Sequence, residues 1–326
     1  MEALEQEYCI RIEGQPLLRD NSPRWFDAYY SVPSAGVNGQ TGMILVCGGY
    51  GSKITSNVYK KIRHLFRDRY NMIIVQCDYF GYTYMNNDYM YYDSIPPETA
   101  AFYNEMGVMQ AMDHLCAIWE IMKLMSDAGT EFDHNKIIFY GHSHGAYLGY
   151  LCNALAPGLF SVIIENSAYL YPYHINHPRE IPYIEDGVEK SLYYTYLISE
   201  IIEDTEIYDL KYIYQRVNNE ALILSFHGSE DTMIPLEEKK NFMQTVRNSC
   251  LHIITPEDVD HRIFYSAKHS LDVDFLQLFD FCVEHYGILQ AWGVRGKFSK
   301  VKYYTSQYCY TVQLEKGKPV MIREKH

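Results

Sequence analysis

Short runs of apolar residues recur along this chain and alternate with longer segments in which apolar side chains return at helical spacing. The runs are rich in β-branched and aromatic residues, as buried strands are. They occupy 43–47, 71–77, 136–140, 161–165, 221–226 and 251–254. The segments of helical periodicity occupy 57–69, 105–125, 146–155, 236–248 and 272–286. Strand and helix in regular succession predict an α/β fold with a mostly parallel central sheet flanked by helices.

Two further regions surround or interrupt this alternation. The stretches 8–12 and 25–32 precede it and predict opening strands. The segment 169–219 interrupts it with a proline-containing loop and predicted helices near 188–203 and 208–217. An insertion between sheet strands is where a lid over a site would lie.

The last segment, 288–326, continues past the closing helix. Its pattern over 302–312 and 320–322, around a turn at 315–319, predicts a β-hairpin. Such a hairpin would cover a sheet edge or form a homodimer contact. Three parts are therefore predicted. The core occupies 1–168 and 220–287, the lid insertion occupies 169–219, and the C-terminal extension occupies 288–326.

Length and composition limit the size of the hydrophobic core, and the tyrosines concentrate in one predicted loop. The chain has 326 residues, 48% of them hydrophobic, enough to bury one sizeable core or a core with a small attached unit. Tyrosine accounts for 32 residues, and its apolar ring with a polar tip suits clefts. Several of these tyrosines fall in a predicted loop at 78–104. That loop would contact a sugar or another polar ligand, or would pack against itself on the surface.

Charge and cysteine usage exclude several classes of partner. The formal net charge of −13 argues against nucleic acid and against an anionic membrane surface. The eight cysteines include no Cys-x-x-Cys pair, and several lie in apolar runs, so reduced thiols and a cytoplasmic location are predicted. The first residues lack an apolar signal-peptide core and no run reaches transmembrane length, so neither secretion nor membrane insertion is expected.

The most informative stretch joins a predicted strand to a predicted helix through Gly141-His142-Ser143-His144-Gly145. Gly-x-Ser-x-Gly in that context is the pattern of a nucleophile elbow. Side chains at 141 and 145 would collide where the two elements cross, so glycine is required at both positions. The strained turn would lift the Ser143 hydroxyl within reach of a base and a substrate carbonyl. A tight crossover with an unreactive serine is the alternative.

A nucleophilic serine needs a histidine base, and the histidine needs a carboxylate that fixes its tautomer. Asp231 follows a late buried strand in a His-Gly-x-x-Asp-x-x-Ile-Pro loop and is the predicted acid, with Glu165 as the alternative. His269, directly before the closing helix, is the predicted base, and His261 in a charged turn is the alternative. His252 lies within a strand and is predicted to be structural.

The strand at 43–47 ends in a glycine-rich turn, Gly48-Gly49-Tyr50-Gly51. In this architecture an oxyanion hole takes one backbone N–H from the residue after the nucleophile and another from the loop after an earlier central strand. The predicted donors are therefore the backbone N–H groups of His144 and Tyr50. A tight exit from the strand is the structural alternative. Phosphate binding is disfavoured, because the glycine spacing fits neither a P-loop nor a dinucleotide fingerprint.

Two histidine pairs, His174 with His177 and His142 with His144, raise the question of a metal. Neither pair has a cysteine or a carboxylate at a matching spacing, as a zinc site would need. No metal and no cofactor is therefore predicted.

With these residues in place, the chain resembles the α/β-hydrolase superfamily over roughly 40–286. Within it, the chain is similar to a sparsely characterised bacterial family of unknown function that is associated with flagellar-glycan and surface-sugar loci. The segments that carry the similarity are 48–51, 70–81, 110–113, 143–148, 165–167 and 268–274. The resemblance implies the fold and a Ser-Asp-His triad, and it supports His269 as base. Ser270 and Glu165 stand where glycine and aspartate are expected, and no substrate is implied.

The sequence thus predicts a serine hydrolase, an esterase or deacylase that acts through an acyl-enzyme on a small-molecule or glycan acyl ester. Ser143 would attack, His269 would accept and return the proton, and Asp231 would orient His269. The alternatives are a prolyl-oligopeptidase-like peptidase, an acyltransferase, and a non-catalytic scaffold that binds a glycan or a protein. An occluded Ser143, or a base beyond hydrogen-bond reach, would favour the scaffold.

Overall fold

The computed structural model of the protein describes residues 7–85, 106–194, 202–290 and 296–326. The strands within these ranges are β1 Glu7–Glu13, β2 Trp25–Ser31, β3 Gly42–Cys47, β4 Met72–Cys77, β5 Ile137–His142, β6 Val162–Asn166, β7 Arg179–Glu185, β8 Val188–Tyr194, β9 Leu222–Gly228, β10 Ser249–Ile254, β11 Val301–Tyr304, β12 Tyr308–Glu315 and β13 Lys318–Lys325. The α-helices are α1 Asn57–Tyr70, α2 Tyr82–Met85, α3 Val108–Asp127, α4 His144–Leu155, α5 Tyr173–Asn176, α6 Leu210–Tyr214, α7 Leu236–Thr245 and α8 Phe275–Tyr286. Short 3-10 helices span Glu206–Tyr208 and Pro256–Asp258.

Eight strands form the central sheet, in the order β1-β2-β4-β3-β5-β6-β9-β10. Strand β2 pairs antiparallel with β1 and β4, and the other neighbouring pairs are parallel. The predicted α/β fold with a mostly parallel central sheet is confirmed. Because parallel strands end at one edge of a sheet, the loops after β3, β5, β6 and β9 meet on the same side of the molecule.

Helices cover both faces of this sheet, because successive strand residues point to opposite sides. Met43 and Leu45 of β3 pack in one core cluster with α3 and α4. Ile44 and Val46 of the same strand pack in a second cluster with α1 and α8. Strands β3 and β4 are buried along their whole length, as parallel strands between two helical layers are.

The closing helix begins later than predicted, at Phe275 rather than at 272. Asp274 is its N-cap, and the carboxylate accepts hydrogen bonds from the backbone N–H groups of Leu276 and Gln277. The segment 270–272 directly before it has a left-handed backbone, with φ between 42° and 73°, and therefore cannot belong to a right-handed helix.

The insertion differs from its prediction. The expected helix near 188–203 is wrong over 188–194, which is strand β8 and pairs antiparallel with β7. Asp186 and Gly187 form the two-residue connection, both with positive φ, and Asp-Gly is a strong signal for this hairpin turn. The expected helix at 208–217 is only the short helix α6, preceded by a 3-10 turn. Residues 195–201 lie outside the described part.

The C-terminal extension forms a three-stranded antiparallel sheet, β11-β12-β13, rather than the predicted hairpin. The additional strand arises because the turn at Ser306-Gln307 divides the predicted first arm. This sheet packs against helix α3 and the end of α4. Trp119 donates to the carbonyl of Gly317 at 3.0 Å, and the Tyr303 hydroxyl donates to the carbonyl of Ala154 at 2.6 Å. The homodimer contact and the domain boundaries at 168/169, 219/220 and 287/288 stay predictions.

The tyrosine-rich loop predicted at 78–104 lies mostly outside the described residues, since 86–105 is not described. Within the described part, Tyr79 is buried in the core. None of the eight cysteines forms a disulfide, and most are buried. No helix in the described ranges has both the length and the apolar character needed to cross a bilayer.

Candidate active site

Ser143 occupies the sharp turn between β5 and α4. Its backbone has φ 52° and ψ −115°, a conformation that non-glycine residues rarely adopt. A Cβ at Gly141 would lie 2.7 Å from Ala146 Cα, and one at Gly145 would lie 2.3 Å from the Cys47 carbonyl oxygen. The predicted need for glycine at both positions is confirmed. The serine side chain is thus directed away from the sheet by a strained backbone that its neighbours enforce.

The structure brings the three predicted triad residues together from the connections that follow β5, β9 and β10. Ser143 Oγ lies 2.9 Å from Nε2 of His269, and Nδ1 of His269 lies 2.8 Å from Oδ2 of Asp231. The other Asp231 oxygen accepts hydrogen bonds from the backbone N–H groups of Met233 and Ile234, at 2.8 Å and 3.1 Å. The carboxylate is therefore fixed, and its contact assigns the Nδ1 proton to the imidazole, leaving Nε2 as the base toward the serine.

The electrostatics of this group are consistent with that assignment. Burial raises the pKa of the Asp231 carboxyl, but the hydrogen bond and charge of His269, with the N–H of Ile234, outweigh burial and hold the pKa below its usual value. Asp231 is consequently ionised throughout the neutral range. Burial, reinforced by the nearby His269, lowers the pKa of His142 to about 4, so this flanking histidine is neutral.

The alternative acid, Glu165, has a different environment. Its Oε1 pairs with the buried Lys239 at 2.5 Å and accepts from the Tyr150 hydroxyl at 3.0 Å. Its Oε2 accepts from the backbone N–H of Ala168 at 3.0 Å. Both oxygens are engaged in a structural network that joins β6 to α7, and the structure places Asp231 rather than Glu165 at the histidine.

The alternative bases also lie elsewhere. His261 is in an exposed turn, where its ring packs edge-on against Tyr265. His252 contacts the Tyr286 hydroxyl at 2.6 Å and stacks on Phe226. Of the candidate bases, His269 is the one that contacts both the serine and the carboxylate.

The predicted oxyanion-hole residues lie beside the nucleophile. Tyr50 is in a tight turn closed by a 3.0 Å hydrogen bond from the Ser52 N–H to the Gly49 carbonyl. A Cβ added at Gly49 would lie 3.5 Å from Ser143 Cβ, so the turn passes next to the serine. His144 is the first residue of α4, and N–H groups in a first helical turn have no intrahelical acceptor. This placement supports the backbone N–H groups of Tyr50 and His144 as donors, and the role itself stays a prediction.

Two polar residues that the sequence interpretation missed hold the loop that carries His269. The side-chain amide of Asn166 donates to the carbonyl of Ser270 at 2.8 Å and contacts Nδ1 of His142 at 3.0 Å. The Ser167 hydroxyl accepts from the backbone N–H of Ser270 at 3.1 Å. Both residues stand at the carboxyl end of β6, next to β5 in the sheet, so strand order would have identified them as neighbours of the nucleophile.

Tyr169, also missed, contacts the nucleophile itself. Its hydroxyl lies 3.2 Å from Ser143 Oγ, and its ring stacks on His269. Nothing in the sequence distinguishes a functional tyrosine that follows a strand from the many tyrosines of such a chain that have structural roles.

A cavity of about 550 Å³ lies on the insertion side of Tyr169. The insertion and the loop after Asp231 form its walls, which are rich in tyrosines, carboxylates and small polar groups. Among the lining residues are Tyr169, Tyr171, Tyr173, Tyr212, Glu206, Asp209, Asn176 and Thr232. Ser143 and His269 do not line this cavity, so Tyr169 stands between it and the proposed triad.

The histidine pairs considered for a metal make other contacts in the described part of the chain. His177 stacks on Tyr173 with ring centroids 4.0 Å apart. His144 Nε2 contacts the side-chain carbonyl of Gln110 at 2.8 Å, and the side chain of His174 is not among those described. The described residues contain no cluster of three or more histidine, cysteine or acidic side chains placed to hold a metal ion.

Comparison with known proteins finds a match to one family model over part of the chain and similar folds among solved enzyme structures. The family described as "Protein of unknown function (DUF2920)" matches residues 89–205, less than half of the chain. No curated protein sequence matches. Est1E from Butyrivibrio proteoclasticus is 14% identical with a TM-score of 0.50, and the match covers 86% of this chain and 98% of Est1E.

Two peptidase structures have TM-scores close to that of Est1E. An acylaminoacyl peptidase from Pyrococcus horikoshii is 16% identical with a TM-score of 0.53, and the match covers 92% of this chain and 43% of the peptidase. A puromycin-hydrolyzing peptidase from Mycobacterium tuberculosis is 13% identical with a TM-score of 0.55, and the match covers 89% of this chain and 41% of the peptidase. This chain thus spans less than half of either peptidase. These likenesses and the strand order confirm the predicted α/β-hydrolase fold.

Proposed function

We propose that this protein is a serine hydrolase that cleaves a carboxylic ester through an acyl-enzyme on Ser143. The observation that carries the proposal is the continuous contact from Ser143 Oγ to His269 at 2.9 Å and from His269 to Asp231 at 2.8 Å. A serine hydroxyl becomes a useful nucleophile when a base within hydrogen-bond reach accepts its proton. The fold shared with Est1E and with the two peptidases supports the same class.

The proposed reaction has two halves. In the first, Ser143 Oγ bonds to the ester carbonyl carbon while its proton passes to His269 Nε2, and the tetrahedral intermediate then expels the alcohol, which takes the proton from His269. In the second, water bonds to the acyl carbon while His269 accepts its proton, and the intermediate releases the acid and returns the proton to Ser143. Asp231 stays ionised throughout and stabilises the imidazolium.

Backbone donors would stabilise the oxyanion of both intermediates. The N–H groups of Tyr50 and His144 are the proposed pair, because the Gly49–Ser52 turn and the first turn of α4 both border Ser143. Preorganised donors of this kind usually contribute about 3 kcal/mol each to transition-state stabilisation.

A carbohydrate ester is the proposed substrate class. The cavity beside Tyr169 is lined by tyrosine hydroxyls, carboxylates and an asparagine amide, and groups of this type hydrogen-bond to sugar hydroxyls. The association of similar sequences with glycan loci and the cytoplasmic location stay predictions. A peptidase that uses the same triad is the alternative within the hydrolase class.

A non-catalytic binding scaffold is the second candidate, because Ser143 is only 6% exposed. Burial of a nucleophile limits access to it, as expected of an occluded site. Against this candidate, the base lies within hydrogen-bond reach of Ser143 Oγ, which an unused site has no need to maintain.

The first experiment measures covalent labelling by a fluorophosphonate, which reacts with activated serines. Intact-mass spectrometry of the wild-type protein should show one adduct, and Ser143→Ala should show none. Asp231→Asn should slow labelling by about 10³-fold or more, because the wrong imidazole tautomer then faces the serine. Glu230→Gln, which removes the exposed neighbouring carboxylate, is the matched control and should label at the wild-type rate.

Two outcomes would contradict the proposal. Absence of an adduct on folded wild-type protein would favour the binding scaffold. An adduct that persists in Ser143→Ala would show that another residue is the reactive one.

A further inference from the structure

Tyr169 contacts two members of the proposed triad at once. Its hydroxyl oxygen lies 3.2 Å from Ser143 Oγ. Its ring is parallel to the His269 imidazole within 8°, with the two centroids 5.7 Å apart. Tyr169 is only 6% exposed, so both contacts are largely shielded from bulk water, where electrostatic interactions are stronger.

The surrounding structure fixes the position of this side chain. The backbone N–H of Ala168, the preceding residue, donates to Glu165 Oε2 at 3.0 Å. Glu165 is itself held by the fully buried Lys239. The ring of Tyr173 stacks on the Tyr169 ring at 5.9 Å. The orientation of Tyr169 toward Ser143 and His269 is therefore set by packing and by a buried ion pair.

The hydroxyl contact has a defined direction when the serine is ready to react. Ser143 carries one hydroxyl proton, and in the reactive arrangement that proton points to His269 Nε2. In the structure Ser143 Oγ donates to the Tyr169 hydroxyl at 3.2 Å. When the serine proton turns to His269, this hydrogen bond is kept only if the phenol of Tyr169 donates to Ser143 Oγ in return. A donor at that oxygen stabilises the negative charge that develops as the proton leaves.

The ring contact acts on the opposite charge. His269 becomes an imidazolium when it accepts the proton from Ser143. A cation within about 6 Å of an aromatic centroid is attracted to the negative face of the ring. The 5.7 Å parallel arrangement meets this condition. Tyr169 would thus stabilise both charges that form as the proton moves from Ser143 to His269.

We propose that Tyr169 is a further catalytic residue, whose hydroxyl donates to Ser143 Oγ and whose ring supports the His269 imidazolium. The inference rests on the proposed serine hydrolase function. Tyr169 keeps its own proton throughout. The proton that passes between Ser143 and His269 goes on to the leaving alcohol, so Tyr169 is neither consumed nor ionised.

Two substitutions separate the two contacts. Tyr169→Phe removes the hydroxyl and keeps the ring, whereas Tyr169→Leu removes both. We expect Tyr169→Phe to slow fluorophosphonate labelling by about 10-fold or more, as loss of a hydrogen bond to a developing charge does. Tyr169→Leu should be slower still. Tyr8→Phe is the matched control, because it removes the hydroxyl of an exposed tyrosine on the edge strand β1, outside the proposed site, and it should label at the wild-type rate.

The ring contact is measured by comparing the two variants with each other. Tyr169→Leu should label about 3-fold more slowly than Tyr169→Phe, because the imidazolium that forms at His269 also loses its aromatic partner. Amide NMR spectra of each variant would establish that the fold is retained.

The outcomes distinguish this inference from the proposed function. A wild-type protein that forms no adduct would overturn the hydrolase, and the catalytic role of Tyr169 with it. A labelled wild type with an equal rate for Tyr169→Phe would overturn the hydroxyl role alone. Equal labelling rates for Tyr169→Leu and Tyr169→Phe would overturn the ring role.

Discussion

Burial decides the protonation of two histidines in this protein. His142 lies next to the nucleophile, and His114 lies in α3, where Nδ1 is 2.7 Å from the carbonyl of Gln110. Burial lowers the pKa of His114 to about 4, and it lowers the pKa of His142 to about 4 as well. Both side chains are therefore neutral at neutral pH.

These depressed pKa values predict an acid-sensitive fold. The unfolded chain has an ordinary histidine pKa near 6.5, so between pH 6.5 and about 4 it binds more protons than the folded protein, and the free energy of unfolding falls as the pH falls. Each buried histidine contributes about 3 kcal/mol to that loss. We expect His114→Phe to remove one such contribution, measured by urea unfolding at pH 7.5 and pH 4.

The exposed His285 supplies the control for this comparison. His285→Phe should retain the wild-type loss of stability between the two pH values. An equal loss in His114→Phe and wild type would mean that folding does not lower the pKa of His114.

The elements around the site depend on close backbone contact. At the crossing of β3 with the start of α4, the Cα of Gly145 faces the carbonyl oxygens of Cys47 and Gly48, at distances that leave no space for a methyl group. The same crossing places the Gly49–Ser52 turn beside Ser143. The position of the proposed oxyanion donors relative to the nucleophile therefore depends on the absence of one side chain.

Gly145→Ala should accordingly destabilise the protein by about 3 kcal/mol, since the clash is with backbone atoms that cannot move independently. Gly39→Ala is the control, because a Cβ there would have its nearest neighbour at 3.9 Å and the φ angle suits an ordinary residue. Equilibrium denaturation of both variants tests the expectation. Similar stabilities for the two would show that β3 and α4 can separate without cost.

At the scale of the whole molecule, the C-terminal sheet is joined to the insertion. Asp204 of the insertion is buried, and its Oδ2 accepts from the Thr305 hydroxyl at 2.6 Å and from the Tyr310 hydroxyl at 3.0 Å. Tyr212 donates from its hydroxyl to the carbonyl of Tyr304 at 2.9 Å. The insertion is therefore attached to the body through the C-terminal strands as well as through its own two ends.

Asp204→Ala should cost about 3 kcal/mol of stability, because it removes the carboxylate that accepts from two buried hydroxyl groups. We also expect faster limited proteolysis within the C-terminal sheet. Glu189→Ala, at an exposed position of β8, is the control and should behave as wild type in both assays. Wild-type stability and digestion of Asp204→Ala would mean that apolar packing alone holds the C-terminal sheet.

The sequence by itself determined the elements of the central sheet and the candidates for the proposed triad, because both are encoded locally. Apolar runs and helical periodicity specify strands and helices segment by segment. Gly141, Gly145 and the loop around Asp231 are short motifs whose meaning depends on the adjoining elements. Parallel strands end at one edge, so residues that follow those strands meet there without any further information.

Only the tertiary structure decided the contacts made across long sequence separations. It paired Glu165 with Lys239 instead of with a histidine, and it placed the Tyr169 ring against His269. The Asp186-Gly187 turn, which the sequence interpretation missed, is a local signal for the hairpin that the structure contains. Many arrangements of similar tyrosines and carboxylates satisfy the same local sequence pattern. Which side chains become partners therefore depends on the packing geometry, which a single sequence does not specify.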